Sequence, residues 1–222
     1  MKKSLYIMAF GLLFMNLEAQ FKLPKNPLGS LTGNQEATAP AVDISQSQAN
    51  LMAQLTDALG DVAFAQSLIA EAQGNKEKAA ALKGTSDTLK GGNATDKEIK
   101  GAVETVGATA KEQQAAFNQS QELSAEAKAL YGKAVLPYVK SVAKTSKLSG
   151  PIKDFASEAQ NSIKSVRNPL EIGKLKKTLD VGLFVGSNVP KLITSLVTSS
   201  KDLLTFAKAN DMDTKGAADI EL

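Results

Sequence analysis

Cysteine, histidine and tryptophan are absent from all 222 residues. Without cysteine there is no disulfide and no thiolate metal site, so stability rests on packing alone. Histidine is the usual proton carrier near neutral pH and the commonest metal ligand. Its absence, with that of cysteine, excludes the familiar zinc, copper and haem sites and any Ser–His or Cys–His nucleophile. Carboxylate, lysine or tyrosine chemistry stays open. Aromatic residues make up only 5% of the chain. No Walker-type loop and no GxGxxG occurs, so nothing points to a nucleotide. Convincing period-two alternation is also missing, which argues against strands.

What is present begins with an export pattern. Lys2 and Lys3 precede an uncharged apolar run, Leu5 to Phe14, and Leu17-Glu18-Ala19 ends on a small residue. This predicts a signal peptide over 1–19, too short to span a bilayer, and a periplasmic or secreted protein. Residues 20–42 carry Pro24, Pro27, Pro40, Gly29 and Gly33 without apolar periodicity, as expected of a flexible, disordered leader.

The rest reads as helix. Ile44, Gln48, Leu51, Leu55, Ala58, Val62, Ala65, Ile69 and Ala72 alternate steps of four and three, with Asp43 or Ser45 as candidate caps. A second, weaker helix is expected over Lys76–Lys90, closed by Gly91-Gly92. Thr95 and Glu98 form a capping-box signature opening a long helix that Pro137 should kink or end. Ile99, Val103, Val106, Ala110, Gln113 and Phe117 continue the four-three pattern, and Leu123, Ala127, Leu130 and Ala134 resume it after a phase shift. Gly150-Pro151 and Asn168-Pro169 are start signals for two more helices. Gly186 to Pro190 should interrupt the chain before a last helix over about 190–210. The expected fold is all-α: an elongated, mostly antiparallel bundle of four to six helices over 43–210, followed by an acidic tail over 211–222.

Charge is segregated. Between Lys128 and Lys177, ten lysines and Arg167 face only Asp154, Glu158 and Glu171, a net of +8. Lys133, Lys140, Lys144 and Lys147 share one helical face by spacing. They are a candidate interaction face for an acidic partner or anionic lipid, or else they pair with the acidic first helix. Nucleic acid is disfavoured, because the patch is nearly all lysine and only Tyr131 and Tyr138 could stack on bases. Gly182, Leu183, Phe184, Val185 and Gly186 form the centre of the most apolar stretch, 179–197, with GxxxG spacing. This segment is a membrane or packing candidate, though Asp180 and Lys191 bracket too few apolar residues for a span.

Two further motifs fail on inspection. Asp211, Asp213, Gly216 and Asp219 match part of a calcium-binding EF-hand loop, but Lys215 and Leu222 stand where ligands are required. Ser141 and Lys144 match SxxK, but no KTG accompanies them. No cofactor is expected. The leading expectation is an exported, non-enzymatic binding, scaffold or chaperone-like protein acting through helix faces on a protein partner or a second copy. The alternative is membrane action through the lysine face and the 179–197 segment.

Overall fold

The computed structural model describes residues 44–119 and 122–222. The expected signal peptide and leader, and the candidate cap Asp43, lie outside these. Seven α-helices and no strand occupy the described residues: α1 Ile44–Ala72, α2 Lys76–Lys90, α3 Asp96–Phe117, α4 Ala125–Ser146, α5 Ser149–Ser165, α6 Pro169–Thr178 and α7 Asp180–Ala209. The protein is an all-α helical bundle.

Local capping explains several boundaries. Asn75 caps α2 by accepting a hydrogen bond from the Lys78 amide at 3.0 Å, and Gly74 and Gly92 take the positive φ that reverses the chain on either side. Thr95 and Glu98 complete a reciprocal capping box at the start of α3. Asn168 caps α6, with Pro169 in the first turn.

The four-three stripe of α1 becomes the centre of the core. Leu55, Ala58, Val62, Ala65 and Ile69 are fully buried, and α1 packs against α2, α3, α4 and α5. Lys144 of α4 meets Asp57 and Asp61, whereas Leu136 and Pro137 lie beside Phe64, so α1 and α4 run antiparallel. In contrast, α3 and α7 run parallel: Lys100 pairs with Asp180, Gly107 faces Leu192, and the Phe117 and Phe206 rings lie 5.5 Å apart.

Two expectations are corrected. The helix opened by Thr95 does not run on to Pro137. It stops at Phe117, and Ser124 caps a new helix by accepting from the Ala127 amide at 3.1 Å. The phase shift is therefore a chain reversal, closed by the Phe117, Tyr131 and Phe206 ring cluster. The buried face of α4 is Tyr131, Ala134, Val135, Tyr138, Val139 and Val142, which keeps Ala134 of the expected stripe but puts Tyr131 inside where Leu130 was expected.

Pro190 does not interrupt α7, and Pro137 does not end α4, since both lie inside continuous helix. A proline inside a helix costs about 3 kcal/mol. Burying one valine or leucine returns about 1.5–3 kcal/mol. Val185, Val189, Leu192 and Leu196, all buried around Pro190, outweigh that cost.

The acidic tail packs against the bundle. The Met212 amide donates to Ala207 at 2.9 Å, Met212 and Ala217 are buried, and Ile220 and Leu222 pack on the core.

Candidate functional site

The outer ridge of α1 lies between α2 and α4, and two rows of lysine border it. Lys76, Lys83 and Lys90 are heptad-spaced on α2, and Lys133, Lys140 and Lys147 are heptad-spaced along α4 and its C-cap. Seven residues return almost to the same side of a helix, so each set forms one row. Phe64, one of two large apolar side chains left exposed among the described residues, at 40%, stands between them. On its α2 side a hollow of about 480 Å³ is lined by Phe64, Leu68, Glu71, Lys76 and Lys83. On its α4 side a hollow of about 340 Å³ is lined by Phe64, Leu136, Pro137, Lys140 and Lys144. Lys90 Nζ sits 5.8 Å from the Phe64 ring centroid, within cation–π range.

Of the four lysines expected to act together, Lys144 is separated from the rest by its partners. Its ammonium bonds Asp57 at 2.5 Å and Asp61 at 2.9 Å, and Lys90 reaches Asp61 from the other side at 2.6 Å. Partial burial opposes the charge on Asp61, but hydrogen bonds from Lys90 and Lys144 outweigh it and hold the carboxyl below its ordinary value. Partial burial likewise works against the Lys144 ammonium, and its bonds to Asp57 and Asp61 reverse the balance and raise its pKa. Lys133, Lys140 and Lys147 are exposed, and no ion pair ties them to a described residue. Asp57 and Asp61 are thus taken up by Lys90 and Lys144, Lys83 bonds Asp87 within α2 at 3.1 Å, and Glu71 lines the α2-side hollow, so the excess positive charge lies mainly on the α4 row and at Lys76.

A lowered carboxyl pKa stabilises the fold above the ordinary aspartate value, and the effect fades as pH falls through the folded-state value. Asp61→Asn is therefore expected to lower Tm at pH 7. The gap from the parent should shrink below about pH 4 and vanish once Asp61 is protonated. Thermal melts at stepped pH check this, and a gap independent of pH would show that the paired charge is not its source.

The remaining sequence candidates resolve differently. Gly182 and Val185 are buried, while Leu183, Phe184 and Gly186 are half-buried. The GxxxG pair is a packing notch. The Phe155 ring of α5 lies against Gly182, and a side chain on Gly186 would meet the Ala156 Cβ at 2.7 Å. Because α7 is continuous for 30 residues, it is long and apolar enough by composition to cross a membrane. Its apolar side is nonetheless packed into the core, and Ser187, Lys191, Thr194, Thr198, Lys201 and Thr205 form a polar exposed row. Among the described residues no group of acidic side chains is placed to hold a metal ion, and Asp213 accepts from the Lys215 amide instead. The Ser141 hydroxyl donates to the Pro137 and Tyr138 carbonyls, so it is not poised beside Lys144 as a nucleophile.

Sequence reasoning missed Phe64 and the α2 lysines. The spacing of Lys76, Lys83 and Lys90 was legible, but nothing local says that α1 carries its one exposed aromatic between that row and the distant row on α4.

A buried polar layer crosses the bundle at the same level. Gln66 donates to the Val106 carbonyl at 3.0 Å, and Gln113 donates to the Gln66 carbonyl at 2.9 Å. The Tyr138 hydroxyl faces Ser199 and Gln66 without a close bond to either, and burial pushes its pKa up to about 12.

The chain matches no family model, no curated protein and no solved structure.

Proposed function

We propose that this is an exported, non-enzymatic binding protein whose α2–α1–α4 face receives an acidic segment of a partner protein. The observation that carries the reading is the pair of lysine rows flanking Phe64, with Asp57 and Asp61 between them already paired and Lys133, Lys140 and Lys147 left without an acid. An acidic strand or helix laid along α1 would meet ammonium groups on both edges and an aromatic contact at its centre. A symmetric pairing of this face with itself is opposed by like charge, so a second copy using the same face is disfavoured. Among the described residues, the two carboxyls with displaced pKa values, Asp61 and Glu98, are both lowered, the first by lysines and the second by the Thr95 backbone and side chain. A general acid working at neutral pH needs the opposite shift. Export rests on the pattern of residues 1–19.

The test is a photo-crosslinking residue in place of Phe64, activated in the native compartment, with the same residue at Thr198 on α7 as comparison. Position 64 should give a defined adduct whose crosslinked peptide is rich in Asp and Glu. Lys83→Glu with Lys140→Glu should weaken capture by at least about tenfold, because each now repels the acidic partner. Equal capture at both positions, or capture indifferent to charge reversal, would remove the proposal. So would turnover of any substrate that one carboxylate substitution abolishes.

A further inference from the structure

Helix α6 is well started but barely held. Asn168 and Pro169 set its N-terminus, and Lys176 and Lys177 suit its C-terminal turn. Yet none of its ten residues is buried, and it packs chiefly against its chain neighbours α5 and α7. Ile172 and Leu175 are half-buried on the inner side. On the outer side Leu170 is 77% exposed, the most exposed large apolar side chain among the described residues. Lys174 and Lys177 follow Leu170 at four and seven residues, so all three share that outer face.

The charge around Leu170 is one-sided. From residue 164 to 178 the chain carries Lys164, Arg167, Lys174, Lys176 and Lys177 against the single acid Glu171. Glu171 faces the cap, where it accepts from the Asn168 side chain at 3.4 Å. Asp180, the next acid along the chain, is paired with Lys100 of α3.

An apolar tip ringed by lysines on a short surface helix is the arrangement of helices that lie in a membrane interface. The tip enters the acyl boundary, and the long lysine stems let the ammonium groups stay at the headgroups. A protein partner is a poorer fit. Stable protein interfaces bury upwards of about 1,000 Å². The exposed side of a ten-residue helix, about 15 Å long, is convex and offers one apolar side chain. Lysine needs no fixed geometry to meet an anion, and a lipid surface supplies charge without shape.

We infer that the outer face of α6 docks the protein on an anionic lipid surface, with Leu170 inserted and Arg167, Lys174, Lys176 and Lys177 on the headgroups. This is a different face from the α2–α1–α4 ridge and does not depend on it.

Because the chain has no tryptophan, Leu170→Trp places a single fluorescent reporter at the tip. The purified protein is titrated with phosphatidylcholine vesicles, with phosphatidylcholine vesicles containing phosphatidylglycerol, and with poly-glutamate. The expected result is a blue shift with the anionic vesicles alone, reversed by salt. Adding Lys174→Glu and Lys177→Glu should weaken vesicle binding by at least about tenfold, while Lys201→Glu on α7 should not. All four positions are exposed, and unchanged circular dichroism verifies that the variants fold. No shift with anionic vesicles overturns the inference. A shift with poly-glutamate but not vesicles overturns it in favour of an acidic protein, and binding indifferent to charge reversal on α6 assigns membrane contact to another surface.

Discussion

Replacing Gly182 by alanine is expected to destabilise the protein by about 3 kcal/mol, the upper end of what overpacking a core contact costs. The added methyl would overlap the Phe155 ring and approach Gln48 Oε1 to 2.6 Å. Phe155 is 4% exposed, so its ring has nowhere to retreat, and Gln48 is held by donating to the Thr178 carbonyl at 3.0 Å. Alanine is the better helix former by about 1 kcal/mol, and that local gain loses to the clash. Gly132 separates the two effects. Nothing lies within 4 Å of a side chain there, so Gly132→Ala should stabilise by about 0.5–1 kcal/mol. Denaturant unfolding of both variants, with Phe155→Ala added to each, is the measurement. The double variant at Gly182 should lose less than the sum of its parts, because removing the ring removes the clash. If Gly182→Ala behaved like Gly132→Ala, α5 would not be docked on α7 as described.

The second large effect belongs to the alkaline range. Tyr138 ionises near pH 10 when unfolded but at about 12 in the fold, because burial disfavours the phenolate. Between those values the unfolded chain has lost a proton that the folded chain still binds, so stability falls as pH rises. Two units at about 1.4 kcal/mol each set a limit of about 3 kcal/mol, of which about 2 kcal/mol is lost by pH 12. Tyr138→Phe cannot ionise and should escape that loss. At pH 7 the same substitution should change stability by less than about 1 kcal/mol, because the deleted hydroxyl has no close hydrogen bond to lose. Lysines titrate in both proteins, so the difference between them isolates Tyr138. Parallel unfolding curves at pH 8 and pH 11–12 decide the matter. Equal losses in both would mean that Tyr138 reaches solvent.

The polar layer around Tyr138 and the lysine rows around Phe64 were legible to different degrees. Gln113 is visible in the sequence as a polar residue on an apolar stripe. Gln66 and Ser199 are not, because each becomes buried only where α1 meets α3 and α7 meets α4. The lysine face of α4 could be drawn on a helix without a structure. Its division into a paired Lys144 and unpaired Lys133, Lys140 and Lys147 could not, since only Lys144 has α1 acids opposite.

By itself the sequence determined the all-α class, the ends of α2, the capping box of α3 and the start of α6. These depend on hydrogen bonds and apolar periods that close within a few residues, so neighbouring side chains decide them. Only the tertiary structure decided that the chain reverses after Phe117, that α7 passes through Pro190, that α3 and α7 run parallel, and that α6 stays outside the core. Each of these weighs a local preference of a few kcal/mol against burial supplied by helices distant in the chain, and the position of those helices is not written in any short stretch of residues.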